Sequence, residues 1–317
     1  MTSADTLTAE YRTVSEACGL IDRSERGKLA LSGTDAKTFL QGQVTNDIEA
    51  LAPGQGCYAA FLTPKGKMLG DLRVLDAGDE LLLDTERVAL QELFNMIRRF
   101  SIGYSVELHK RTLERGLLSL IGPESASVAG VTGLPSAEHA HAPSSIGGVP
   151  ARAIRTDDGV DVLCEAADTD ALRAALEDAG AVAVSDEVVD CLRIERGRPR
   201  YGLDLDDTVI PEEAGLNDRA VSFTKGCYVG QETVARLHYR GKPNRRLRGL
   251  LLSAAAQPGD QITFDGRPVG RIGSVAVSPR IGPIALALVR REAPPGTAVS
   301  VGDGLNRATV VELPFGG

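Results

Sequence analysis

The sequence predicts an α+β protein in which two copies of a β-α-β-β-α-β-like unit precede a small all-β domain. Three observations carry this. Strand 27–31 leads into Gly33-Thr34-Asp35-Ala36, and strand 117–121 leads into Gly122-Pro123-Glu124-Ser125-Ala126. In both copies a hairpin and then an amphipathic helix come next, as a repeated unit requires. Beyond Gly241 the helical periodicity stops, and short strands alternate with Gly/Pro turns as in a barrel or sandwich.

The elements follow in order. Residues 8–18 predict a helix closed by Gly19 as a left-handed cap. Strand 27–31 precedes a helix carrying Phe39 and Leu40. Strands 58–63 and 68–75 form a hairpin around Pro64-Lys65-Gly66-Lys67, followed by strand 80–84, helix 87–98 and strand 105–110. In the second copy, 151–155 and 160–165 form a hairpin around Asp157-Asp158-Gly159, and 169–179 is a helix. Residues 132–150, rich in Ala, Ser, Gly and Pro, read as a loop. Ser185 predicts an N-cap for helix 186–196, which ends at Gly197. The late strands are 248–252, 261–264, 268–277, 284–289, 298–301 and 308–313. Two domains result: 1–240, duplicated as about 20–112 and 113–240, and 241–317.

Composition narrows the function. The net charge of −8 argues against nucleic acid or an anionic membrane as a general partner, and 4% aromatics with no Trp argues against base stacking. No apolar run approaches a membrane span and the first residues lack a signal-peptide core, so the expected location is the cytoplasm. The five cysteines are odd in number and none has C-x-x-C spacing, which excludes a disulfide framework or zinc ribbon.

The segment Lys225-Gly226-Cys227-Tyr228-Val229-Gly230-Gln231-Glu232 carries most information. A thiol beside a lysine and just before helix 231–240 is placed to be stabilised as thiolate. The bland reading of Cys227 is a small apolar filler. His238 sits at the far end of the same helix with no third orienting group, so a Cys/His hydrolase is a weak idea. Glu195 shares a helix face with Val188, Cys191 and Leu192. It either pairs internally with Arg193, Arg196, Arg198 or Arg200, or points into a pocket to accept a planar N–H/NH₂ edge. Asp71 lies mid-strand beside Gly70. It is either half of an Asp71–Arg73 surface pair or a pocket-lining carboxylate that Gly70 lets a ligand approach. Arg236, Arg240, Lys242, Arg245, Arg246 and Arg248 form a basic run, either a solvated linker or a rim for carboxylates or phosphates. Gly266 to Gly273 reads as turn chemistry, since no helix follows.

With these residues in view, Lys225 to Glu232 resembles the K-G-C-[YF]-x-G-Q-E signature of the YgfZ folate-binding proteins, relatives of the glycine-cleavage T-protein (aminomethyltransferase). Leu192 to Gly197, Tyr201 to Asp204, Ile210 to Glu213 and Gly270 to Ser274 are similar to further parts of that superfamily, so the resemblance spans nearly the whole chain. It implies a GcvT-like fold of two intertwined ferredoxin-like subdomains plus a C-terminal β-barrel. It implies tetrahydrofolate as cofactor, with Glu195 as the folate carboxylate and Asp71, Tyr228 and Arg236 as further contacts. It also implies iron–sulfur client or assembly proteins as partners, with Cys227 as the working thiol. Asp71 falls on the transferase's catalytic aspartate, although Gly70 replaces the first of that enzyme's two adjacent acids. One-carbon transfer therefore stays open as the alternative activity.

Overall fold

The computed structural model describes residues 4–316. Helix α1 (Ala4–Glu16) precedes strand β1 (Gly19–Asp22). Gly19 therefore opens a strand and caps no helix; a Cβ there would lie 2.6 Å from Val14 Cγ1, so the glycine serves the packing of α1 on β1. The first repeat runs β2 (Gly27–Ser32), α2 (Ala36–Gln41), β3 (Gly56–Leu62), β4 (Met68–Asp76), β5 (Glu80–Thr85), α3 (Leu90–Phe100) and β6 (Glu107–Lys110). The second runs β7 (Arg115–Ile121), α4 (Ser125–Val128), β8 (His141–Ile146), β9 (Val149–Arg155), β10 (Gly159–Glu165), α5 (Thr169–Asp178) and β11 (Val182–Ala183). Strand β8 lies in the stretch expected to be a loop. It pairs with β9 at the sheet edge, where alternate residues face solvent and small polar residues suffice.

The five strands β2 to β6 form one sheet in the order β3-β4-β5-β2-β6. The other is ordered β11-β1-β7-β10-β9-β8, so the repeats are intertwined: β1, from before the first repeat, sits between two strands of the second. Each sheet buries an apolar face. Leu29, Leu31, Phe61 and Leu83 are buried in the first sheet, and Leu118, Leu120, Val160 and Val162 pack with Leu172 and Leu176 of α5 in the second.

Between the sheets lies charge. Arg73 on β4 donates to Asp84 on β5 at 2.6 Å and to Asp161 on β10 at 2.7 Å, and Ser119 on β7 donates to Asp161 at 2.6 Å. Arg73 is thus buried, not on a solvated face, and it pairs with these two acids in place of the expected Asp71. A buried pair is costly to break because the surviving charge stays desolvated. Arg73→Met is expected to lower stability by about 3 kcal/mol in urea unfolding, and Arg73→Met with Asp161→Leu to recover part of that. Equal losses in both variants would show that the pair does not act as a unit.

The remaining elements are α6 (Asp186–Glu195), α7 (Asn217–Ala220), α8 (Gln231–Arg240) and strands β12 (Arg245–Leu252), β13 (Gln261–Phe264), β14 (Arg267–Ser278), β15 (Gly282–Arg290), β16 (Ala298–Val301) and β17 (Asn306–Val311). The last six close into a barrel ordered β12-β15-β14-β13-β16-β17, sealed by the β12–β17 ladder. Residues 270–273 lie within β14, next to a bulge, and make no turn. A Cβ on Gly273 would meet Asp204 at 2.5 Å, which explains the glycine. Ile194 of α6 packs with Leu247, Ile284, Leu286 and Phe315. Ser185, the residue before α6, donates its hydroxyl to Glu10.

The chain forms two compact units that interleave in sequence. One holds residues 4–62, Leu69–Ser185 and Ala220–Val229; the other holds Thr63–Met68, Asp186–Arg219 and residues 230–316. No helix among the described residues is long and apolar enough to cross a membrane.

Candidate functional site

In the first unit the sheet β3-β4-β5 positions Asp71. Its carboxylate is buried, with Tyr58 Oη donating to Oδ2 at 2.6 Å. Thr85 Oγ1 donates to its backbone oxygen at 2.5 Å, pinning β4 to β5. Burial raises the Asp71 pKa and the Glu86 charge adds to it. The Tyr58 hydrogen bond and Arg26 oppose, and the balance is about 6. Arg26 is itself held by Asp84 at 2.7 Å and by Glu86. Burial alone would raise Asp84, but Arg26 and Arg73 override it and hold that acid at about 2. Two neighbouring acids therefore differ in the way general acid–base chemistry needs: one stays ionised, the other exchanges a proton near neutral pH. Gly70 opens no path for a ligand. A Cβ there would lie 2.6 Å from the Phe61 ring and 2.7 Å from Ala89, so the missing side chain makes room for protein.

The same unit carries Cys227, which is exposed. Lys225, two residues earlier, is buried, and its Nζ donates to the carbonyls of Gln41 at 2.6 Å, Val44 at 2.8 Å and Asn46 at 2.7 Å. The ammonium also lies 5.2 Å from the centroid of the buried Tyr228 ring. Burial lowers the Lys225 pKa to about 8 and raises that of Tyr228 to about 12. Its three donors are directed at backbone oxygens, so the residue fastens the loop. Helix α8 begins at Gln231, with Gly230 at φ 85° as its N-cap, so Cys227 also lies outside that helix's first turn. Of the other thiols, Cys18, Cys164 and Cys191 are buried and Cys57 is half-buried. Burial raises Cys18 and Cys164, and pushes Cys57 and Cys191 to about 12.

In the second unit Glu195 ends α6, buried. Its Oε1 accepts from Ser278 and its Oε2 from Arg280 at 3.1 Å, while Cys191 Sγ lies 3.8 Å from Oε1. Two of the arginines near it in sequence serve other acids: Arg193 serves Asp204 at 2.8 Å and Asp190 at 3.1 Å, and Arg200 serves Asp190 at 2.7 Å. Arg236 is exposed on α8. A Cβ on Gly66, the turn residue of the β3–β4 connection, would meet Thr233 of the same helix at 2.7 Å.

Asp71, Cys227 and Tyr228 thus belong to one unit, and Glu195 and Arg236 to the other. Sequence reasoning gave no role to Tyr58, Arg26, Glu86, Ser278 or Arg280. Tyr58 had a usable signal, a phenol on the strand that neighbours the one carrying Asp71. The others are joined to their partners only by tertiary packing.

A duplicated, intertwined α/β module with a six-stranded closed barrel is the architecture of the T-protein class. The solved structure of glycine cleavage system aminomethyltransferase T from Bartonella henselae superposes with a TM-score of 0.87 at 24% identity, covering 99% of this chain and 91% of that one. The GCVT N-terminal domain family matches residues 2–225, and the glycine cleavage T-protein C-terminal barrel domain matches 245–316. The chain belongs to the GcvT family. It is 30% identical to a chloroplast protein of Arabidopsis thaliana described as a transferase, over 93% of this chain and 71% of that protein. It is also 30% identical to an aminomethyltransferase of Rubrobacter xylanophilus, over 97% of this chain and 85% of that protein.

Proposed function

We propose that the protein binds reduced folate and acts as an accessory protein for iron–sulfur enzymes, in the manner of the YgfZ proteins, with Cys227 as its working group. The observation that carries this reading is the thiol inventory. Of five cysteines only Cys227 is exposed, and it sits on a loop fastened by three bonds from one buried ammonium. A sulfur that is both accessible and held in place suits exchange with a partner's cysteine or transient ligation of iron. Among the described residues no three His, Cys, Asp or Glu side chains gather to hold a metal. A cluster is then cargo that needs ligands from the client as well.

In one unit Glu195 is a buried carboxylate oriented by Ser278 and Arg280, a type of group that accepts the N–H/NH₂ edge of a pterin. In the other unit, taken by itself, Asp71 can hold or release a proton near neutral pH. Bound tetrahydrofolate would supply the nitrogen that accepts a one-carbon unit. Complementation of a strain lacking such a factor tests the thiol. Cys227→Ser is expected to reduce recovered cluster-enzyme activity to the uncomplemented level while thermal stability is unchanged. Full recovery with the serine variant sinks the reading.

A second reading, tetrahydrofolate-dependent aminomethyl transfer, is favoured by the Tyr58–Asp71 hydrogen bond and the raised Asp71 pKa. Formation of methylenetetrahydrofolate from an aminomethyl-loaded carrier protein tests it, and turnover no faster than without protein removes it.

A further inference from the structure

The barrel unit contains a cleft of about 330 Å³ formed where the chain enters β12 and leaves β15. Six cations line it: Lys242, Arg245, Arg246, Arg248, Arg290 and Arg291. No acid is in its wall, and Pro294 and Pro295 supply apolar surface. The two segments are tied together by the Arg291 N–H donating to Asn244 O at 3.0 Å.

The sheet register makes this arrangement unfavourable by itself. Arg245 stands directly opposite Arg290 in the β12–β15 ladder, and like charges in that position repel. Carboxylates outside the wall offset part of this: Glu213 pairs with Arg245 at 3.2 Å, Glu212 with Arg246 at 2.5 Å, Glu292 with Arg290 at 3.5 Å, and Glu312 with Arg248. Lys242 and Arg291 have no such partner among the described residues. Six cations thus face four acids, and Lys242 and Arg291, which lack an ion pair within reach among the described residues, are both exposed. Arg248 is held below its ordinary pKa by burial, partly offset by Glu312, with repulsion from Arg246 adding to the shift. A concave, acid-free wall of guanidinium forks is suited to several carboxylate or phosphate groups at once. The apolar patches suit a chain with methylenes between its charges.

We propose that this cleft is a binding site for an oligoanion, a short chain bearing several carboxylates or phosphates. The assignment rests on the barrel unit alone and stands or falls separately from folate binding and from Cys227.

Calorimetric titration of the full chain at low salt tests it, with γ-linked triglutamate and with tripolyphosphate as probes. Saturable binding of at least one is expected. Lys242→Glu with Arg291→Glu should weaken it about tenfold or more, because both side chains are exposed and neither holds the fold. A control, Arg267→Glu with Arg271→Glu, reverses two exposed charges on β14 outside the cleft and should leave it unchanged. Saturation by triglutamate alone assigns a carboxylate chain, by tripolyphosphate alone a phosphate chain, and by both an anion site indifferent to the source. Binding of neither, or equal weakening by both charge reversals, overturns the proposal.

Discussion

Replacing Asp71 with Asn is expected to stabilise the protein at neutral pH and to remove any one-carbon chemistry it performs. The stability argument follows from the direction of the pKa shift. The folded-state value is about 6 against an ordinary 3.8, so between those values the folded protein holds a proton that the unfolded chain has released. Stability from this group is complete below pH 3.8 and is lost as pH rises through about 6. At 1.36 kcal/mol per pKa unit the loss is roughly 3 kcal/mol. Asparagine has no charge to desolvate, and its Oδ1 still accepts from Tyr58. The variant's urea midpoint should therefore exceed the parent's at pH 7 and match it near pH 4. A variant that is less stable than the parent at pH 7 would mean that Asp71 is held by compensating charge. For activity, a carboxylate base with a pKa of about 6 predicts a transfer rate that climbs through that pH and then levels. Asp71→Asn should cost roughly 10² to 10⁴ in that rate and abolish the pH step. Turnover that keeps its pH step in the variant assigns the proton to another group.

The second large effect is expected at Lys225. Lys225→Met keeps the aliphatic stem but removes the donors to Gln41, Val44 and Asn46. Two contributions oppose. Removing a buried ammonium relieves a desolvation cost, which the pKa of about 8 records. Leaving three carbonyls without donors costs about 1–3 kcal/mol for each that water cannot reach. The second contribution is the larger, so a net loss of roughly 2 kcal/mol is expected, together with loosening of the Cys227 loop. Faster amide exchange across 222–229 and faster alkylation of Cys227 would report the loosening. Unchanged exchange would show that packing of Tyr228 alone holds the loop. The pH dependence has a definite sign. Between about 8 and 10.5 the unfolded chain keeps a proton that the folded one has lost, so the parent gains stability as pH rises through that window. The Met variant should lack this gain.

Much of the architecture was legible because it is written in local periodicity. The echo of Gly33-Thr34-Asp35-Ala36 in Gly122 to Ala126 exposed the duplication, and the Gly/Pro-punctuated strands after Gly241 exposed the barrel, all six of whose strands are present. Strands β1, β8 and β11 escaped notice. The first has four residues and the last two, and β8 is a polar edge strand whose composition matches that of a loop. In the eight-residue segment around Cys227 the lysine was read from proximity in sequence, whereas the direction of that side chain is set by carbonyls about 180 residues away.

What the sequence by itself determined is which faces are apolar, where glycine must stand and which acids and thiol are out of place. Alternation and helical spacing record burial residue by residue. What only the tertiary structure decided is the partner of each buried charge: Arg280 for Glu195, Asp161 for Arg73, Tyr58 for Asp71 and three carbonyls for Lys225. Periodicity states that a group leaves water. It does not state what replaces the water, because the replacing group comes from a distant part of the chain and its identity sets the pKa, the charge and the chemistry.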